Sequence, residues 1–126
     1  TKARVIVVDG DGALLMRLGA ITSLCNENPS NLIHILLDNN EYESTGSQKT
    51  VSNNIDLPKI AKGSGYPDVA NLMNLSDLGK RLSLRENKLA FIYMPIETGI
   101  VDNLPRPIIT PPQVALRFKK HIQQLD

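Results

Sequence analysis

Blocks of hydrophobic residues in this chain alternate between two periods. Residues 3–9 (ARVIVVD) form a short β-branched apolar run, the pattern of a strand buried on both faces of a parallel sheet. Over residues 13–26, Leu14, Leu15, Leu18, Ile21, Thr22 and Cys25 recur at helical spacing, which predicts one amphipathic helix. Asn28, Pro29, Ser30 and Asn31 break it. Residues 32–37 read as a second buried strand, ended by Asp38, Asn39 and Asn40. Residues 41–54 are polar and predict a long loop with one helical turn. A short helix is expected over 57–63 with Asp56 as N-cap, and a third strand over 69–73. A helix follows from a Ser76 cap to about residue 84, then a fourth strand over 88–94. Thr110, Pro111, Pro112 and Gln113 spell a helix start, with Thr as N-cap, Pro in the first turn and Gln as capping-box partner. That helix runs to about residue 124.

Strands alternating with helices define an α/β domain, a parallel sheet with helices on both faces. Ligands of such sheets sit beyond the carboxyl ends of the strands, and the polar clusters around Asp11 and Asn39 both fall there. A composition of 41% hydrophobic and 21% charged residues is that of an ordinary globular protein. A net charge of +1 with no basic stripe argues against nucleic acid as a partner. No apolar run approaches the roughly 20 residues of a membrane span. The single cysteine, Cys25, fits a reducing cytoplasm and reads as a half-buried helix residue. Residues 1–126 make one domain. Because the chain opens at Thr1 almost directly on a core strand, it is expected to be the C-terminal part of a longer enzyme, with N-terminal sequence missing.

Gly10-Asp11-Gly12 and, 28 residues after Asp11, Asn39-Asn40 are the pair that carries chemistry. The glycines allow close backbone approach and unusual torsions. A helix starting at Ala13 aims its free N–H groups at the same space, which suits a phosphate. Asp11 would repel phosphate on its own, and a divalent cation resolves the conflict by bridging the two. Mg²⁺ takes oxygen ligands and commonly shares phosphate and water with one or two protein groups. The Asn39 amide oxygen supplies a neutral ligand at the neighbouring strand end.

This motif resembles that of thiamine-diphosphate-dependent enzymes, which opens on Gly-Asp-Gly and closes on Asn about 25 to 30 residues later. The resemblance implies Asp11, the Asn39 side chain and the Glu41 backbone carbonyl as Mg²⁺ ligands. Gly10, Gly12, Ala13 and Tyr42 would join them around thiamine diphosphate; Tyr42, three residues after Asn39, sets the register. Residues 7–19 (VVDGDGALLMRLG) and 36–48 (LLDNNEYESTGSQ) are similar to the phosphonopyruvate and sulfopyruvate decarboxylases within that family. Glu43 and Ser47 replace that group's usual Asp and Gly. Arg106, Pro107, Pro111, Pro112, Arg117 and Phe118 resemble its C-terminus. The resemblance implies non-oxidative decarboxylation of a 2-oxoacid, with phosphonopyruvate giving phosphonoacetaldehyde, or sulfopyruvate giving sulfoacetaldehyde. Ser44 and Thr45 would be substrate contacts, joined by the Gly46 and Ser47 N–H groups and by Lys49. The activating Glu is expected in a pyrimidine-binding domain, supplied by the same or a separate chain in a homo-oligomer.

A rival stands beside this. Asp9-Gly10-Asp11-Gly12 also fits the Asp-x-Asp-Gly signature of haloacid-dehalogenase-type phosphatases, with Asp9 as nucleophile and Asp11 as acid. That pattern expects Thr where Ala13 stands. Otherwise Asp9 and Asp38 are turn-capping residues, and Ser44 and Thr45 fit plain turn positions equally well. His34 is a satisfied core histidine, and Met16, Met73 and Met94 are core filler. Arg117, Lys119 and Lys120 form a solvated helix face.

Overall fold

The computed structural model describes residues 1–84, 86–99, 103–105 and 107–125. Its frame is a four-stranded, all-parallel sheet. Strands β1 (Val5–Gly10), β2 (Leu32–Asp38), β5 (Asp68–Asn71) and β6 (Ala90–Pro95) lie in the order β1-β2-β6-β5. Parallel neighbours need crossovers, and helices supply them. Helices α1 (Asp11–Met16), α2 (Ala20–Glu27) and α3 (Leu57–Ser64) cover one face, where Leu14, Ile21, Leu57 and Ala61 pack on Leu36 and Phe91. Helix α4 (Leu75–Ser83) covers the other, setting Leu78 and Leu82 against Ile33, Ile35, Ala90, Ile92 and Met94. The expected α/β sheet with helices on both faces is what forms.

Several local expectations need correction. β1 is not buried on both faces, because it occupies the sheet edge. Ile6 is 43% exposed and Val8 61%, on the face shared with Ile33 and Ile35, which α4 covers only further along. The helix expected over 13–26 begins two residues earlier and splits in two. Arg17 leaves helical torsions as C-cap of α1 (φ −137°, ψ 39°), and α2 restarts after Gly19. Asn28 closes α2 in the left-handed region, at φ 43°. The long loop holds a small antiparallel hairpin, β3 (Glu41–Tyr42) with β4 (Gln48–Lys49), before a 3-10 turn at Ser52–Asn54. Asn74, not Ser76, caps α4 by accepting the Asp77 N–H at 2.9 Å, whereas Asp56 caps α3 as expected. Of the three methionines only Met94 is core; Met16 and Met73 are about 70% exposed, at 69% and 73%. Helix α5 (Pro111–Gln123) starts at its expected box, with Gln113 Oε1 accepting the Thr110 N–H at 2.8 Å. Arg106 lies outside the described residues.

Candidate functional site

The site grows from the carboxyl ends of β1 and β2. Their register pairs Gly10 with Leu37, so the next residues, Asp11 and Asp38, emerge side by side. Both are buried, Asp11 to 2% exposure and Asp38 to 1%. Two carboxylates sealed from water need donors or a cation. Asp38 has its donors: Asn40 N–H and Ser52 Oγ on Oδ1, each at 2.9 Å, and the Tyr93 hydroxyl on Oδ2 at 2.9 Å. Burial, and then the Asp38 carboxylate, push the Tyr93 hydroxyl up to about 12, so it remains a donor.

Asp11 is satisfied on one side only. Thr50 Oγ1 donates to its Oδ2 at 2.5 Å, and Ser52 Oγ approaches the same oxygen at 3.3 Å. Among the described residues, none donates a side-chain hydrogen bond to Oδ1. That oxygen is not a sealed orphan either; among the described residues the one such side-chain atom is His34 Nε2. Asp11 therefore presents one fixed and one unclaimed oxygen, the arrangement a cation completes. A Cβ at Gly10 would meet nothing within 4 Å, so the backbone beside Asp11 borders open space.

The loop after β2 brings the amides. Asn40 sits in the left-handed region at φ 62°, a conformation Asn tolerates. Its side-chain oxygen faces Ser52 Oγ at 2.9 Å. Asn39 is held from both ends: Nδ2 donates to Glu43 Oε2 at 3.0 Å, and Oδ1 accepts the Glu41 N–H at 3.1 Å. Glu43 also accepts the Gly99 N–H at 2.5 Å, tying this loop to the one after β6. Thr50 N–H donates to the Asn40 carbonyl at 2.9 Å, and Glu41 faces Lys49. By the alternation of an antiparallel ladder, Glu41–Lys49 is a non-bonded pair, and the Glu41 carbonyl points away from β4. A buried carboxylate oxygen, an amide oxygen and a free backbone carbonyl are the hard oxygen donors Mg²⁺ takes. The residues present fit that ion.

Some expected features change. Neither Gly10 nor Gly12 uses a glycine-only torsion, since the positive-φ glycines are Gly46, Gly65 and Gly99. Gly12 is small because the Tyr42 ring lies against it. α1 has six residues, so its dipole is slight, and Ala13 is its third residue. Ser44 and Thr45 sit on the exposed hairpin tip. Thr45 N–H, Thr45 Oγ1 and Ser47 N–H all converge on the Tyr42 carbonyl, at 3.0, 3.2 and 3.1 Å. The Ser47 N–H is thus engaged inward, and Lys49 pairs with Glu41 at 3.5 Å. Thr50, Ser52, Asp38 and Tyr93 were missed as site residues. The one available signal was a hydroxyl pair two residues apart in the polar loop.

His34 is buried, as expected, but not fully satisfied. Its Nδ1 meets the Tyr66 hydroxyl at 2.8 Å, while Nε2 has no hydrogen-bond partner and stands 3.6 Å from Asp9 Oδ2. Asp9 itself accepts the Gly10 N–H at 3.1 Å, the turn role expected of it. Cys25 is half-buried and free, its thiol pushed up by burial.

With this geometry in place, comparison with known proteins is decisive for the family. Residues 1–92 match the thiamine pyrophosphate enzyme, C-terminal TPP binding domain, and the chain belongs to that family. The match sets aside the phosphatase reading of Asp9 and Asp11. A phosphonopyruvate decarboxylase of Streptomyces viridochromogenes is 40% identical over 97% of this chain, which spans 31% of that protein. Its counterpart in Streptomyces hygroscopicus is 41% identical over 95% of this chain and 30% of its own length. A sulfopyruvate decarboxylase subunit beta from Methanothermobacter thermautotrophicus is 35% identical, covering 97% of this chain and 64% of the subunit. The chain thus spans about a third of the first two relatives and less than two thirds of the third.

Proposed function

We propose that this chain is the diphosphate- and Mg²⁺-holding part of a thiamine-diphosphate-dependent 2-oxoacid decarboxylase, converting phosphonopyruvate to phosphonoacetaldehyde and CO₂. The observation that carries this reading is Asp11: a buried carboxylate with one oxygen fixed by hydroxyls and the other unclaimed, beside the Asn39 loop. In it, Asp11, the Asn39 side chain and the Glu41 carbonyl hold Mg²⁺, while Gly10, Gly12, Ala13 and Tyr42 line the diphosphate. Thiamine diphosphate supplies the electron sink for loss of CO₂. The chain's own residues bind and orient it, and on the hairpin tip Ser44 reaches the substrate while Thr45 closes the turn that carries it. The activating Glu belongs to a pyrimidine-binding domain elsewhere in the enzyme, a homo-oligomer in the cytoplasm. Among the described residues no helix is long and apolar enough to cross a membrane.

The second reading is sulfopyruvate decarboxylation, favoured by the relatives named as subunit beta, in which case the pyrimidine-binding domain is a separate subunit. The test is calorimetry of thiamine diphosphate binding to the full-length protein with and without Mg²⁺, followed by CO₂ release from each 2-oxoacid. Mg²⁺-independent binding, or none, would remove the proposal; faster release from sulfopyruvate would select the second reading.

A further inference from the structure

Two buried carboxylates stand side by side at this site, and the protein treats them differently. Asp38 is finished, with donors on both oxygens. Among the described residues, side-chain hydroxyls reach Asp11 on Oδ2 alone, both from one short segment, Thr50 at 2.5 Å and Ser52 at 3.3 Å. That segment is ordered by the ladder: Thr50 N–H is fixed on the Asn40 carbonyl, and the Ser52 turn follows at once.

Counting protons separates the two hydroxyls. Thr50 Oγ1 sits 2.5 Å from Asp11 Oδ2 and 2.8 Å from Ser52 Oγ. Its proton goes to the carboxylate, so toward Ser52 it can only accept. Ser52 has one proton and four oxygens around it: Thr50 Oγ1 at 2.8 Å, Asp38 Oδ1 and Asn40 Oδ1 at 2.9 Å, and Asp11 Oδ2 at 3.3 Å. Thr50 is the strong, dedicated hold on Asp11, and Ser52 links that hold to Asp38 and the Asn40 turn. A carboxylate pinned through one oxygen cannot rotate to offer both to a cation, so its free oxygen keeps one heading.

We infer that Thr50, supported by Ser52, is a positioning residue for the cation: it locks Asp11 through Oδ2 so that Oδ1 is the oxygen presented. This rests on the proposed Mg²⁺ and thiamine diphosphate site. Partners of metal ligands that fix their orientation are typically worth a 10- to 100-fold change in metal affinity. The experiment is a Mg²⁺ titration, by calorimetry at saturating thiamine diphosphate, of the full-length protein and its Thr50→Val, Thr50→Ser and Ser52→Ala variants. Mn²⁺ as a spectroscopic probe reports the geometry of the bound ion in each. Thr50→Val keeps the shape and loses the donor, and should weaken Mg²⁺ roughly 10- to 100-fold and broaden the Mn²⁺ signal. Thr50→Ser keeps the donor and should restore both to within about threefold, while Ser52→Ala should fall between. If Thr50→Val does not fold, Thr50→Cys, a poor donor of similar shape to Ser, takes its place. Wild-type protein that binds Mg²⁺ with thiamine diphosphate while Thr50→Val binds it equally well overturns this inference alone. Wild-type protein that binds neither overturns the proposed function, and this inference with it.

Discussion

Gly12 and Tyr42 share one space: a Cβ on Gly12 would stand 2.6 Å from Tyr42 Cδ1 and Cε1. Two opposing magnitudes meet here. Gly12 lies in α1, where replacing Gly by Ala ordinarily gains up to about 1 kcal/mol. Overpacking against a ring held by the β3–β4 hairpin costs about 1–3 kcal/mol. Gly12→Ala should therefore destabilise the full-length protein in denaturant titrations. Combined with Tyr42→Leu, the loss should shrink by about 1 kcal/mol or more; additive effects would show that the contact does not set the residue at position 12.

The metal register comes next. Asp11→Ala should abolish Mg²⁺-dependent thiamine diphosphate binding. Asn39→Ala should weaken it more than Asn40→Ala, because the Asn40 side chain is turned inward to Ser52 while the Asn39 amide oxygen accepts the Glu41 N–H and so holds the residue whose carbonyl is the third proposed ligand. Calorimetry on the full-length protein decides between them, and a larger loss from Asn40→Ala would move the ligand assignment by one residue.

Sequence carried the frame of this site and left out its support. The glycine turn and spaced Asn placed Asp11 and Asn39 at strand ends, because the end of a strand is a local and periodic property. Edge status is not local: β1 has the composition of a central strand, and only the order β1-β2-β6-β5 exposes Val8. The α1–α2 break was unreadable for a related reason, since one glycine in an amphipathic pattern does not by itself end a helix. Thr50 and Ser52 lie about 40 residues from Asp11, the sequence separations being 39 and 41. Nothing in a polar loop tells which hydroxyls turn inward until the hairpin fixes them. His34 was placed in the core correctly, but the missing partner of Nε2 depends on a 3.6 Å gap to Asp9 that no pattern encodes.

The burial of His34 gives a pH dependence. Burial lowers the His34 pKa, against a smaller upward pull from Asp9. The folded protein then binds the proton less readily than the unfolded chain, whose histidine titrates near 6.5. The stabilising contribution is complete above that value and is lost as pH falls below it, at up to about 1.4 kcal/mol per pH unit. Thermal unfolding of the full-length protein should show a lower Tm at pH 5.5 than at pH 7.5, and His34→Gln, which cannot titrate, should flatten that part of the slope. An unchanged slope in His34→Gln would assign the dependence to other groups.

Substrate choice is where the hairpin tip separates two residues that read alike in sequence. Thr45 spends its hydroxyl proton on the Tyr42 carbonyl, where the Thr45 and Ser47 N–H groups already converge. Its role is to close the turn. Among the described residues, the Ser44 hydroxyl has no partner, and it lies on the exposed side of that turn. Removing one hydrogen bond to a charged group costs on the order of 1.5–3 kcal/mol. Ser44→Ala should therefore lower kcat/KM for phosphonopyruvate by roughly ten- to a hundredfold. Plain pyruvate, which lacks the second anion, should change much less. Thr45→Ala should instead lower both substrates in parallel, because a loosened turn shifts Tyr42 and with it the Gly12 contact. Steady-state kinetics on both substrates for both variants separates these outcomes. If Ser44→Ala also affects the two substrates equally, the hairpin positions the cofactor only, and the phosphonate is bound by a different part of the enzyme.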